Sequence, residues 1–205
     1  MYRLKNFAGA ATRATIIAAL FAVLAIPTGC SWVDAKQREF IFRPVRDDWR
    51  GYGGEAEQAQ VKIPVGQNGD ELSAWWMPAP TAGAPALLYL HGARWNLTGS
   101  SGRIARYRQL GFSVLAIDYR GFGKSSGDMP SEDMAYEDAR AAWNYMAKLT
   151  PGSRHYVYGH SLGGAVAVEV ARNNPAVAGL ILEAGNLKMA IYWFCTFRMA
   201  YRRSS

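Results

Sequence analysis

The sequence predicts an α/β fold in which a mostly parallel sheet is flanked by helices, left incomplete at the C-terminal end. Three observations carry this expectation. Short apolar runs alternate with helical patterns from residue 86 to residue 183, the signature of strand–helix–strand units. A Gly-x-Ser-x-Gly motif at 159–163 stands where one apolar run passes into a helix. Asn68-Gly69 lies between two extended patterns and marks a hairpin ahead of the alternating region.

Residues 1–13 carry Arg3, Lys5 and Arg13 with no acid, and residues 15–26 are an apolar run. A bilayer span needs about 20 apolar residues, so this shorter run reads as an export signal over residues 1–29. The segment closes on Pro27-Thr28-Gly29-Cys30 and resembles a bacterial lipoprotein lipobox. Thr28 and Gly29 fit that pattern, whereas Pro27 departs from its leucine-like residue. The resemblance implies lipidation of Cys30 and an exported protein held on a membrane of the cell envelope. An ordinary cleaved signal with a periplasmic product, or an uncleaved anchor, are the alternatives. Residues 30–59 are polar with scattered aromatics (Phe40, Phe42, Trp49) and a glycine turn at 51–54, and read as a tether.

Regular structure begins near residue 60. Residues 61–65 alternate, 67–70 turn, and 72–77 are extended again, with Trp75 and Trp76 facing opposite sides. Residues 86–90 and 113–118 are continuous apolar runs, as expected of strands buried on both faces. Between them, residues 99–110 read as a helix with Gly111 at its C-terminal end. Residues 119–127 form a glycine-rich loop. Ser131 caps a helix to about residue 149, with Glu132 and Asp133 suited to its positive end. A strand at 155–160, a helix at 162–173 and a strand at 178–183 complete the pattern, giving a domain over 60–184.

Charge and cysteine usage exclude other classes. The net charge is +7, yet residues 30–184 hold sixteen basic and sixteen acidic residues, so the excess sits in the two ends. Arg103, Arg106 and Arg108 are the local basic cluster, and they read as a solvated helix face. No nucleic acid is expected as a partner. Cys30 and Cys195 have no metal-ligand spacing, and no metal or cofactor is implied. Gly121-Phe122-Gly123 matches phosphate loops only weakly.

The chemistry centres on Ser161. A serine in a sharp strand-to-helix turn presents its hydroxyl for attack on an ester or amide carbonyl, and flanking glycines allow close backbone approach. Taken together, LYLHGARWN at 88–96, LAIDYRGFGKSSG at 115–127 and YGHSLGGAVA at 158–167 resemble the α/β-hydrolase superfamily. Within it they are most similar to bacterial relatives of the BEM46-like group, which are serine-aminopeptidase-type hydrolases.

The resemblance implies a serine hydrolase acting on a small-molecule or lipid-like ester or amide, with Ser161 as nucleophile. It places the oxyanion donors at the backbone N–H groups of Leu162 and Ala93. It also requires a histidine and an acid after the serine. No histidine follows Ser161: the three in the sequence are His91, His155 and His160. His160 is expected to pack behind the turn, His155 to lie at the far end of the sheet, and His91 to be structural. Glu183 ends a later strand and is a possible acid, although a structural carboxylate is the stronger expectation. Residues 185–205 carry no acid and no clear periodicity. They read as an aberrant, frameshifted or truncated tail, which would impair activity. A non-catalytic lipid-anchored binding module and a non-functional truncated product are the rival expectations.

Overall fold

The computed structural model describes residues 32–49 and 60–183. The export segment, Cys30, the glycine turn at 51–54 and the tail at 185–205 lie outside the described residues. The chain divides into two compact units, residues 1–41 and 42–205. Residues 32–42 are helical (α1).

Six strands form one sheet among the described residues: β1 (Gln60–Val65), β2 (Asp70–Met77), β3 (Ala86–Leu90), β4 (Ser113–Ile117), β5 (His155–His160) and β6 (Val177–Glu183). Their spatial order is β1-β2-β4-β3-β5-β6. The first hairpin is antiparallel, with Gln60 opposite Trp75 and Val65 opposite Asp70, and β2 also runs antiparallel to β4. The pairs β4–β3, β3–β5 and β5–β6 are parallel. Gly69, at φ 77°, supplies the left-handed residue that the hairpin turn requires.

Three helices connect the parallel strands: α2 (Leu97–Gln109), α3 (Glu132–Leu149) and α4 (Leu162–Asn173). Right-handed crossovers put α2 on one face of the sheet and α3 with α4 on the other, because β3→β4 runs opposite in direction to β4→β5 and β5→β6. On the α2 side, Trp75, Met77, Leu87, Tyr89, Leu97, Ile104, Val114, Ala116 and Tyr158 form one buried cluster. On α3, Ala135, Ala139, Ala142, Trp143 and Met146 recur at helical spacing and are buried. Ser131 caps this helix, its hydroxyl accepting from the N–H of Met134. α2 starts two residues before the expected boundary, because Asn96 Oδ1 accepts from the N–H of Gly99 and Asp118 Oδ1 accepts from that of Leu97 at 2.8 Å. At the other end of the sheet order, β6 pairs with β5 alone among the described strands, leaving Leu180 and Leu182 more than a third exposed.

Residues 42–49, expected within the tether, pack on the domain. Phe42 is buried and its carbonyl accepts from Arg94 N–H. The Val45 carbonyl accepts from Gly123 N–H, the Asp47 carbonyl from the Asn96 side chain, and Trp49 N–H donates to Thr98 Oγ1. The loops that bind this strap follow β3 and β4, at the C-terminal edge of the parallel strands.

Candidate active site

The chain reverses its lateral direction between β3 and β5. The connection from β3 leads to β4 on one side, and that from β5 leads to β6 on the other. The connections after β3 and β5 therefore lead to opposite sides, and the carboxyl ends of strands at such a switch are where open α/β sheets hold ligands. Gly92-Ala93 follows β3 and Ser161 follows β5, so the pairing of these strands brings both positions to that edge.

Ser161 sits at φ 52°, ψ −114°, in a region that non-glycine residues rarely occupy. It is exposed while His160, Gly163 and Gly164 around it are buried. Its N–H donates to the Glu183 carbonyl at 3.0 Å, and its carbonyl accepts from Gly164 N–H at 2.9 Å. Its side chain makes no capping bond to the helix it precedes. Leu162 opens α4, where the first backbone N–H groups have no intrahelical acceptor and the helix dipole favours negative charge. The arrangement offers a free hydroxyl beside a donor suited to an anion.

Close packing explains the glycines. A Cβ on Gly159 would fall 2.3 Å from the Gly163 carbonyl oxygen, and one on Gly163 would fall 2.3 Å from that of Leu90 and 2.6 Å from that of His91. A Cβ on Gly92 would lie 2.9 Å from His160 Nδ1 and 3.2 Å from Ser161 Cβ. The Gly92-Ala93 loop therefore abuts the turn that carries Ser161.

Among the described residues, no hydrogen bond joins any of the three histidines to the Ser161 side chain. His91 is fully buried, and its Nδ1 lies 2.8 Å from the Gly92 carbonyl, which can only accept, so Nδ1 carries a proton. Its Nε2 is 3.4 Å from Asp118 Oδ1 without the alignment of a hydrogen bond. His155 begins β5, with Nε2 2.8 Å from Thr150 Oγ1 and its ring edge-on to Trp143. His160 is buried, its ring edge-on to Trp95 at 6.2 Å, and burial lowers its pKa.

Glu183 is tied to two partners. Tyr158 Oη donates to Glu183 Oε2 at 2.6 Å, and Arg103 Nε donates to Oε1 at 3.0 Å. The tyrosine hydrogen bond, then Arg103, hold its carboxyl below the usual range. Burial first, then the bond to Glu183, raise the Tyr158 phenol well above its ordinary value. These partners bridge β6, β5 and α2. The glycine-rich loop is likewise held internally. Ser125 Oγ donates to the Asp118 carbonyl, and Arg120 donates to Asp138 from both backbone N–H and Nε, at 2.8 and 2.7 Å. Among the described residues no group of His, Cys, Asp and Glu could hold a metal ion.

An aromatic wall beside the turn has no counterpart in the sequence expectations. Trp49, from the strap, stacks on Trp95 with centroids 4.8 Å apart and planes 6° apart. The Arg103 guanidinium stands 5.4 Å from the Trp95 ring centroid. Gly99 leaves room for the stack, since a Cβ there would lie 2.7 Å from Trp49 Nε1. No sequence signal joins Trp49 to Trp95; two isolated aromatics meet because the strap crosses the loop after β3.

Comparison with known proteins agrees with this geometry. The family described as serine aminopeptidase, S33, matches residues 84–203, more than half of the chain and including most of the tail set apart above. An uncharacterised protein of Mycobacterium tuberculosis is 31% identical over 84% of this chain and 61% of its own length. Protein bem46 of Schizosaccharomyces pombe is 40% identical over 48% of this chain and 34% of its own. The lysophosphatidylserine lipase of Bos taurus is 34% identical over 48% of this chain and 25% of its own. The chain thus spans less than two thirds of each of these relatives. An esterase from Pyrococcus furiosus superposes with a TM-score of 0.58 at 21% identity, covering 69% of this chain and 56% of that one, a likeness of fold.

Proposed function

The chain belongs to the serine aminopeptidase S33 family of α/β hydrolases, and from that we propose that it cleaves ester or amide bonds by attack of the Ser161 hydroxyl on the carbonyl carbon. One observation carries the reading: Ser161 is an exposed serine at positive φ in a strand-to-helix turn where glycines are sterically required. As the Oγ–carbon bond forms, the carbonyl π electrons move to oxygen, and the Oγ proton must pass to a base. The backbone N–H groups of Leu162 and Ala93 receive the oxyanion. One such donor typically contributes about 3 kcal/mol to lowering the barrier.

Glu183 is a positioning group in this reading, since Arg103 and Tyr158 occupy its carboxylate. A lipid-like acyl ester is the favoured substrate, supported by the lysophosphatidylserine lipase among the relatives and by the Trp49–Trp95 wall beside the turn. Cys30 carries a lipid that holds the exported protein on the envelope membrane.

Prolonged exposure to a fluorophosphonate probe tests the nucleophile. The expected result is labelling of the wild type and none of Ser161→Ala. An unlabelled wild type that melts cooperatively would overturn the enzymatic reading in favour of a non-catalytic binding module. Incorporation of radioactive fatty acid, lost in Cys30→Ala, tests the anchor.

A further inference from the structure

Helix α1 exposes an apolar face with no partner in the described chain. Trp32 is 64%, Val33 46% and Phe40 71% exposed. Trp32, Lys36 and Phe40 are four residues apart, and with Val33 they fall within about 100° of arc on a helix of 3.6 residues per turn. The half-buried Asp34, Arg38 and Ile41 lie on the opposite arc. Asp34 is ion-paired to Arg38, and Lys36 to Glu39 at 2.7 Å. The helix therefore turns its large apolar residues outward and satisfies most of its charges locally. Water is a poor solvent for such a face, which calls for an apolar occupant.

The chain before α1 identifies that occupant. The apolar run ends at Ile26 and the lipidation candidate is Cys30. Six residues reach at most roughly 20 Å and two at most roughly 7 Å, so a membrane holding either point keeps Trp32 near its surface. Tryptophan and phenylalanine beside a flexible lysine stem suit the boundary between headgroups and acyl chains. The four charged residues of α1 sum to zero, so contact through this face is apolar rather than electrostatic.

We infer that α1 lies along the membrane surface, with Trp32, Val33 and Phe40 inserted among the lipid headgroups and Lys36 reaching outward between them. The inference rests on the membrane-anchored reading above. It makes α1 a second point of contact next to the anchor, fixing the segment that leads into the hydrolase unit at the bilayer.

The test uses the full chain in phosphatidylcholine vesicles whose acyl chains are brominated near the headgroup, which quenches only tryptophans at that depth. Trp32 is one of seven tryptophans. Trp32→Phe should lower the quenched emission by up to that one share, and Phe40→Trp in the Trp32→Phe background should restore it, with both effects surviving high salt. Equal quenching in wild type and Trp32→Phe, with no gain from Phe40→Trp, overturns the inference. Fatty-acid labelling in the same preparation separates the two readings. Labelled Cys30 with unquenched Trp32 leaves the anchor standing and removes the α1 contact. Unlabelled Cys30 with quenched Trp32 removes the lipid anchor and leaves the α1 contact standing on the apolar run.

Discussion

Replacing Gly163 by alanine tests whether the turn at Ser161 needs its glycine for space. A Cβ at 163 would stand 2.3 Å from the Leu90 carbonyl oxygen and 2.6 Å from that of His91. Carbon–oxygen contacts relax near 3.3 Å, so about 1 Å of separation must open. Both oxygens are backbone at the end of β3, and neither can swing aside as a side chain would. The start of α4 must move instead, carrying Leu162 and Ser161 with it. Overpacking of this kind costs about 1–3 kcal/mol. Alanine's helix propensity gives back about 1 kcal/mol. Gly102→Ala isolates that second effect, because Gly102 lies within α2, is exposed, and a Cβ there meets nothing within 4 Å. The difference between the two variants is the contact alone. At roughly 2–4 °C per kcal/mol for a domain of this size, Gly163→Ala should melt about 2–12 °C below Gly102→Ala. Gly102→Ala should itself melt slightly above wild type, and probe labelling of Ser161 should fall in Gly163→Ala only. A Gly163→Ala protein that melts level with Gly102→Ala would refute the packing explanation of the motif.

Three further outcomes are expected. Ser161 at φ 52° stores backbone strain of order 1–3 kcal/mol, so Ser161→Gly should be about 1 kcal/mol more stable than Ser161→Ala by denaturant unfolding, with labelling absent from both. Burial pushes the Asp138 carboxyl up to about 6 against the hydrogen bonds and charge of Arg120; the folded state then binds more protons than the unfolded one between about pH 4 and 6, and this group's contribution falls by about 3 kcal/mol as pH rises through that window, a slope that urea unfolding should find reduced in Asp138→Asn. Trp49→Ala removes a stacked pair worth about 0.5–1.5 kcal/mol and should lower the melting temperature while speeding proteolysis within residues 42–49; unchanged proteolysis there would show that the strap is held without the stack.

The parallel strands and their helices were legible in the sequence because each meets a local physical rule. β3 and β4 are continuous apolar runs since both faces are covered, and all five residues of each are buried. α3 begins where Ser131 supplies a cap, and the β1–β2 turn falls at Gly69 because that position needs positive φ. The structure keeps the strand, turn and helix expected around residue 161, and it sets His155 and His160 where strand direction and packing put them. Less legible were features made by residues far apart in the chain. The start of α2 at Leu97 depends on Asp118, from a loop more than twenty residues on. Residues 42–49 look polar and unstructured because their partners, on the loops after β3 and β4, are not neighbours in sequence.

By itself the sequence determined the order of elements, the serine in its glycine frame and the distribution of charge, since propensity, capping and periodicity act over a few residues. Only the tertiary structure decided which groups meet. It turned His160 toward Trp95, locked Glu183 between Arg103 and Tyr158, and laid Trp49 on Trp95. Those contacts join residues 25 to 80 positions apart, and no local rule can specify them, because their energy exists only once the sheet has brought distant segments to one edge.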